Sequence, residues 1–232
     1  MSSTALGPKY IEGLVALFKE IEWPPFDHIL ERIQSCENIY CCGNGGSYAN
    51  ASHLVLHLRE VGLSAYDLMA DNATVTAYSN DYGYEKVLAR QLRDRATKKD
   101  ILIVISGSGD SPNIIMALAE ARRIGMGTIG FLGFGGGMAK AFCDMSLMFH
   151  SQDYGQLEDV HSAIAHIIKA ALYPGGNGSA AAERRAGRTK GLPSDTPHPA
   201  NGGTISWRTR ASTPGHRENP APDGTPKIRG IS

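Results

Sequence analysis

Long apolar runs are missing from this sequence. None reaches the roughly 18 residues that a membrane-spanning helix needs, which excludes a helical membrane protein. Net charge is missing too: 23 basic side chains meet 23 acidic ones in 232 residues. That balance excludes a uniformly basic nucleic-acid binder, so a nucleic-acid partner is disfavoured. Cysteine is scarce, and Cys36, Cys41, Cys42 and Cys143 show no C-x-x-C spacing. They fall in or beside apolar, strand-like runs, which reads as free thiols in a reducing compartment. The opening MSSTALGPKYIEG has no apolar core of a secretory signal. The expectation is a soluble cytoplasmic protein. Aromatic residues make up only 7%, and Trp207 is isolated and carries no signal.

What the chain does contain is unevenly spread. From Pro174 to Ser232 there are 8 of the 12 prolines and 10 of the 27 glycines, with 9 Lys/Arg against 4 Asp/Glu. Such a segment buries too little apolar surface to offset the entropy of ordering, so 174–232 is expected to be a disordered basic Pro/Gly-rich tail. Residues 1–173 read differently. Tyr10–Trp23 carries apolar side chains at helical spacing, Pro24 and Pro25 end it, and a second short helix follows to Ile33. Residues 1–35 are thus an N-terminal helical extension, with Tyr10–Trp23 a candidate assembly surface. Strands are expected at Asn38–Cys42, Ser64–Met69, Asp100–Ile105, Gly127–Leu132 and Met145–Phe149. Helices are expected at about 48–60, 112–124 and 156–172. Continuous apolar strands followed by helices indicate an α/β domain over 36–173, a doubly wound parallel five-stranded sheet covered on both faces.

Two loops follow buried strands and open helices. The first holds Asn44, Gly45, Gly46 and Ser47; the second holds Ser106, Gly107, Ser108 and Ser111. Glycine lets backbone approach an anion, and a helix N-terminus offers unpaired N–H groups. Either loop alone is an ordinary capped turn. Two at the carboxyl ends of strands in one sheet favour a phosphoryl ligand. No Gly-Lys-Ser/Thr follows the glycines, so neither is a P-loop, and no clean G-x-G-x-x-G is present. Gly133–Gly137 reads as a flexible turn.

Histidines cluster on two of the expected helices. His53 and His57 are four apart, hence on one face, as a metal or a proton relay requires. On the last helix Glu158 and His166 are about 80° apart in projection, close enough to face one cavity, with His161 between them. Taken singly, each histidine is more often a core or surface residue than a ligand.

CGNGGS, SNDYGYE, ISGSGDS and the late helix with spaced histidines, in that order over about residues 8–172, resemble the sugar isomerase (SIS) domain family, and within it the phosphoheptose isomerases. The resemblance implies a SIS fold and interconversion of sedoheptulose 7-phosphate with D-glycero-D-manno-heptose 7-phosphate, feeding nucleotide-activated heptose. It implies a homotetramer and one Zn2+ per subunit. It also implies sugar contacts from Asn80 and Asp81. The family places a zinc-binding His at His53, a catalytic Glu at His57, a Gln at Glu158 and a His at His166. This sequence departs from that pattern at His57 and Glu158. One reading keeps a working site: His53, His57, Glu158 and His166 still offer three nitrogens and one oxygen, a set that suits zinc. His57, Glu158 and His166 are then the candidate catalytic residues, with Glu158 or His166 as base. Glu60, seven residues after His53, shares its face but stands a full turn too far along to replace the missing Glu. The alternatives are a non-catalytic SIS protein, like a relative that binds the bacterial replication initiator, and an isomerase of another phosphosugar.

Overall fold

A computed structural model of the chain describes residues 3–173; the expected tail, 174–232, lies outside the described residues. Helices α1 (Ser3–Lys19) and α2 (Trp23–Ser35) precede the first strand. The α/β order then runs β1 (Ile39–Cys42), α3 (Gly45–Glu60), β2 (Ala65–Asp67), α4 (Asn72–Tyr82), α5 (Val87–Arg95), β3 (Ile101–Ser106), α6 (Pro112–Ile124), β4 (Gly127–Leu132), α7 (Ala139–Phe142), β5 (Met145–Met148) and α8 (Tyr154–Leu172). All pairings are parallel, in the order β2-β1-β3-β4-β5.

The expected sheet is therefore present, strand for strand. Because successive side chains on a strand point to opposite faces, β3 feeds two cores. Ile101, Ile103 and Ile105 pack with Phe26, Leu54, Leu58, Ile164 and Ile168, so α2, α3 and α8 share one face. Leu102 and Val104 pack with Leu88, Leu92, Ile114 and Leu118 on the other, under α5 and α6. Both faces are covered, which is why these strands read as unbroken apolar runs.

Three helices were not foreseen. α4 buries no side chain, so it has no apolar stripe for a periodicity argument to find. α5 is short and follows a 3₁₀ turn at Tyr84–Lys86, and α7 is a single turn. Pro24 and Pro25 lie in the first turn of α2 rather than closing α1. Proline suits that position because the first helical N–H groups have no partner to lose. The chain leaves helix between Lys19 and Trp23 before them.

Strand order sets the position of the site. The direction of winding reverses between β1 and β3, and in such a sheet the crevice at the carboxyl ends of those two strands is where ligands bind. The loops after β1 and β3 open into that crevice.

Candidate active site

Two glycine–serine loops form a cleft of about 310 Å³. Asn44, Gly45, Gly46 and Ser47 from the first loop line it, with Ser106, Gly107, Ser108 and Ser111 from the second. All the loop residues singled out from sequence are thus brought together. Ile105, Tyr154 and Glu158 complete the wall. Tyr154, the first residue of α8, gave no motif signal; its ring packs edge-on against Phe134 with centroids 4.9 Å apart.

Local folding accounts for the cradle. Asn44 precedes α3 in extended conformation, and its side chain does not cap the helix. Its amide instead exchanges two 2.9 Å hydrogen bonds with Asn113, and the Tyr84 hydroxyl donates to its Oδ1 at 2.8 Å. The N–H groups that open α3 are therefore left for a ligand. Ser111 likewise precedes α6 without a side-chain cap bond. Ser106 Oγ accepts from Gly109 N at 3.0 Å and Ser108 Oγ from Asp110 N at 3.3 Å. Each hydroxyl keeps its own proton to donate.

Gly46 is there for close approach: a Cβ at that position would lie 2.2 Å from the Glu158 carboxyl carbon. Asn50 Nδ2 donates to the Glu158 carbonyl at 2.8 Å and ties α8 to α3. Glu158 accordingly belongs to the loop cleft.

Farther along the same two helices, His53, His57 and His166 meet, with one ligand atom of each within 4.8 Å of the others. Ring centroids are 4.2 Å apart for His53–His57, 4.9 Å for His53–His166 and 5.0 Å for His57–His166. His57 is buried, His53 half-buried and His166 exposed, so the cluster opens to the surface along α8. Burial, reinforced by the neighbouring His166 and Lys169 charges, holds His53 below the ordinary histidine range. Burial also lowers His57, against the raising effect of Glu60. Both imidazoles are thereby kept neutral near pH 7, the form that binds metal.

The four-ligand set expected from sequence is not assembled as such. Three imidazoles form the group, and Glu158 stands with the loops, two helical turns before His166. Glu60, set aside from spacing, contacts the cluster: its Oε2 lies 3.1 Å from His57 Nδ1. The i, i+3 relation of His57 and Glu60 was the signal that could have found it. Asn80 and Asp81 occupy the exposed last turn of α4, bonded to each other at 2.9 Å and outside the lining of the cleft. His161 faces the core rather than the site and is fully buried.

Comparison with known proteins bears on these features. The family model described as the SIS domain matches residues 25–133. A phosphoheptose isomerase of Helicobacter pylori is 38% identical over 146 residues, 60% of this chain and 76% of that protein. One of Trichlorobacter lovleyi is 36% identical over 173 residues, 69% of this chain and 88% of its own. Among solved structures, a phosphoheptose isomerase from Francisella tularensis superposes with a TM-score of 0.70 at 28% identity, covering 74% of this chain and 98% of that one.

Proposed function

This chain belongs to the phosphoheptose isomerase family of SIS-domain proteins, a phosphosugar isomerase by descent, and we propose that it converts sedoheptulose 7-phosphate to D-glycero-D-manno-heptose 7-phosphate. The observation that carries the reading is the meeting of three imidazoles on the two helices that also wall a serine–glycine cleft. The cleft takes the phosphate: Ser47, Ser106, Ser108 and Ser111 donate hydroxyls, and the opening turns of α3 and α6 supply N–H groups. Tyr154 and Glu158 then border the sugar.

The imidazoles fit a divalent ion. His57 Nε2 is buried and has no hydrogen-bond partner, an orphan that a ligand would satisfy. His53, His57 and His166 would hold one ion, zinc by donor type, with a position left open; when bound it supplies Lewis-acid polarisation of the sugar carbonyl. Glu158 is the carboxylate bordering the cleft and acts as base. It takes a proton from C1 of the open-chain ketose to give the enediol and returns it to C2, while the O1 proton passes to O2. His57 and His166 contribute to the reaction as ligands. The exchange of Glu for His at His57 and of Gln for Glu at Glu158 then moves the carboxylate from one helix to the other without removing it from the site.

Homo-oligomerisation, expected as a tetramer through residues 1–35, is part of the same proposal; Leu6, Ile11, Val15 and Trp23 are exposed there. Asn80 and Asp81, exposed on α4, would contact sugar in that assembly rather than within one chain. A cytoplasmic setting accords with four free cysteines, and among the described residues no helix is long and apolar enough to cross a membrane. A second reading, isomerisation of a different phosphosugar, is favoured by Tyr154, whose ring would lie 2.7 Å from a Cβ at Gly107 and so narrows the second loop.

Metal analysis of the purified protein and turnover of sedoheptulose 7-phosphate, with and without chelator, test the proposal. Bound metal and chelator-sensitive turnover are expected. His166→Ala should abolish turnover with the fold intact, because His166 is exposed. Turnover of another ketose phosphate alone would select the second reading. No metal and no turnover would return the chain to the class of binding modules.

A further inference from the structure

The polar chain does not stop at the imidazoles. Glu60 Oε2 accepts at 3.1 Å from His57 Nδ1, and Lys169 Nζ lies 2.5 Å from the same oxygen. α3 thus presents His53, His57 and Glu60 at i, i+4 and i+7, and α8 presents His166 and Lys169 at i and i+3. Five side chains from two packed helices form one continuous network.

An ordinary i, i+3 surface ion pair contributes little and constrains little. This pair differs because its imidazole is only 7% exposed while the carboxylate is 44% exposed. A carboxylate has acceptors only, so the nitrogen it faces must carry the hydrogen. That assigns the proton of neutral His57 to Nδ1 and leaves the lone pair on Nε2, the atom that is buried without a partner. A solvated histidine side chain prefers the Nε2–H form, so the environment must hold this tautomer in place. Lys169 neutralises Glu60 and ties its oxygen to α8, which fixes the carboxylate against solvent.

We propose that Glu60, clamped by Lys169, is a positioning residue that fixes His57 as the Nδ1–H tautomer and reserves its Nε2 lone pair for the three-imidazole cluster. The inference deepens the metal reading given above and, as to metal affinity, rests on it. Glu60 is thus a second carboxylate, apart from Glu158, that acts only through the imidazole at position 57. A carboxylate behind a metal-binding histidine orients the ring and raises its basicity, and its loss typically costs about 10- to 100-fold in metal affinity.

Two measurements on the full chain test this separately from catalysis. The first is Co2+ binding, followed by its visible absorption and by competition with a chromophoric chelator. Glu60→Ala is expected to weaken Co2+ binding about 10- to 100-fold with the melting temperature of the metal-free protein unchanged, Lys169→Met to weaken it less. Glu60→Ala should add nothing in a His57→Ala background, since it acts through that ring. Unaltered affinity in Glu60→Ala, or an equal loss with His57 already gone, would overturn the proposal. The second is the tautomer of His57 by long-range 1H–15N correlation in histidine-labelled, metal-free protein. Nδ1–H is expected in the parent chain and Nε2–H in Glu60→Ala. Should the parent bind no Co2+, the metal reading fails by itself, and the tautomer measurement still decides this one: Nε2–H in the parent, or no change on substitution, sinks it.

Discussion

His161 shows what a single buried titratable group does when it has no partner. It lies between Phe131 and Phe149, with ring centroids 6.5 and 5.4 Å away, and neither ring nitrogen is hydrogen-bonded. Burial pushes its pKa from 6.5 down to about 4. The unfolded chain therefore binds a proton here that the folded chain refuses. Stability from this group is intact above pH 6.5, declines as pH falls, and is fully lost below about 4. The loss is about 3 kcal/mol at most, from 1.36 kcal/mol per pKa unit. His161→Leu removes both the orphaned nitrogens and the titration. Denaturant unfolding should show the variant gaining on the parent from pH 7 to pH 4; parallel curves would mean the ring finds a partner in solution. Glu158 poses the opposite test. If its carboxylate moves the C1 proton, Glu158→Gln keeps size and polarity but removes the base, and kcat should fall about 10²- to 10⁴-fold with KM little changed. A rise in KM alone would make Glu158 a binding group.

At the scale of elements, α3 and α8 carry most of the candidate site residues, and that placement is partly legible in the sequence. The i, i+4 spacing of His53 and His57 dictates a shared face, and the structure sets their rings, tilted by 48°, with centroids 4.2 Å apart. His161 and His166 are about 140° apart in projection, which separates them, yet nothing in the spacing says which one meets the core. Glu60 stands too far along the axis to take the place of the missing Glu, and its partner is His57 instead. Its contact depends on a rotamer, which sequence does not encode. The loops were legible because glycine and serine between an apolar strand and a helix admit few conformations; α4 was not, because it has no apolar face to announce it. The second loop also depends on a contact that no local pattern reveals. Gly109 has φ +72°, and a Cβ there would lie 2.0 Å from the Gly136 carbonyl oxygen. The GFGGG segment, expected as a free turn, is thus the seat of that loop, and Ala139 N donates to the Gly109 carbonyl at 2.9 Å. Gly109→Ala meets backbone, not a movable side chain, and should destabilise the fold by about 1–3 kcal/mol in urea unfolding. An unchanged midpoint would show that the two glycine segments separate easily.

At the scale of the whole molecule, α1 is the element least explained by one chain. It contains Gly7, Pro8 and Gly13, all poor in a helix interior, and among its described side chains only Leu17 is buried. Helices of such composition depend on packing for their stability. One flank has that packing: the Tyr10 hydroxyl donates to Asp159 at 2.7 Å, and Gly13 admits Gln156 of α8, whose amide nitrogen would lie 2.2 Å from a Cβ. The opposite flank leaves Ile11 and Val15 57 and 46% exposed; Leu6, on the Tyr10–Gly13 side, is 49% exposed and Trp23, just beyond the helix, 48%. Apolar side chains grouped in this way mark an association surface when they are not covered by the chain itself. Burial of such a face in an oligomer would supply what the glycines and proline withhold from α1. The combined change Ile11→Asp and Val15→Asp places two charges on that face without touching the sheet, the loops or the histidines. Sedimentation velocity should then show an oligomer for the parent and a monomer for the variant, with the far-ultraviolet spectrum of the α/β domain preserved. The same sedimentation coefficient for both would move the assembly surface away from α1. A monomeric parent would leave α1 to be stabilised by α8 alone, through contacts such as Tyr10 with Asp159.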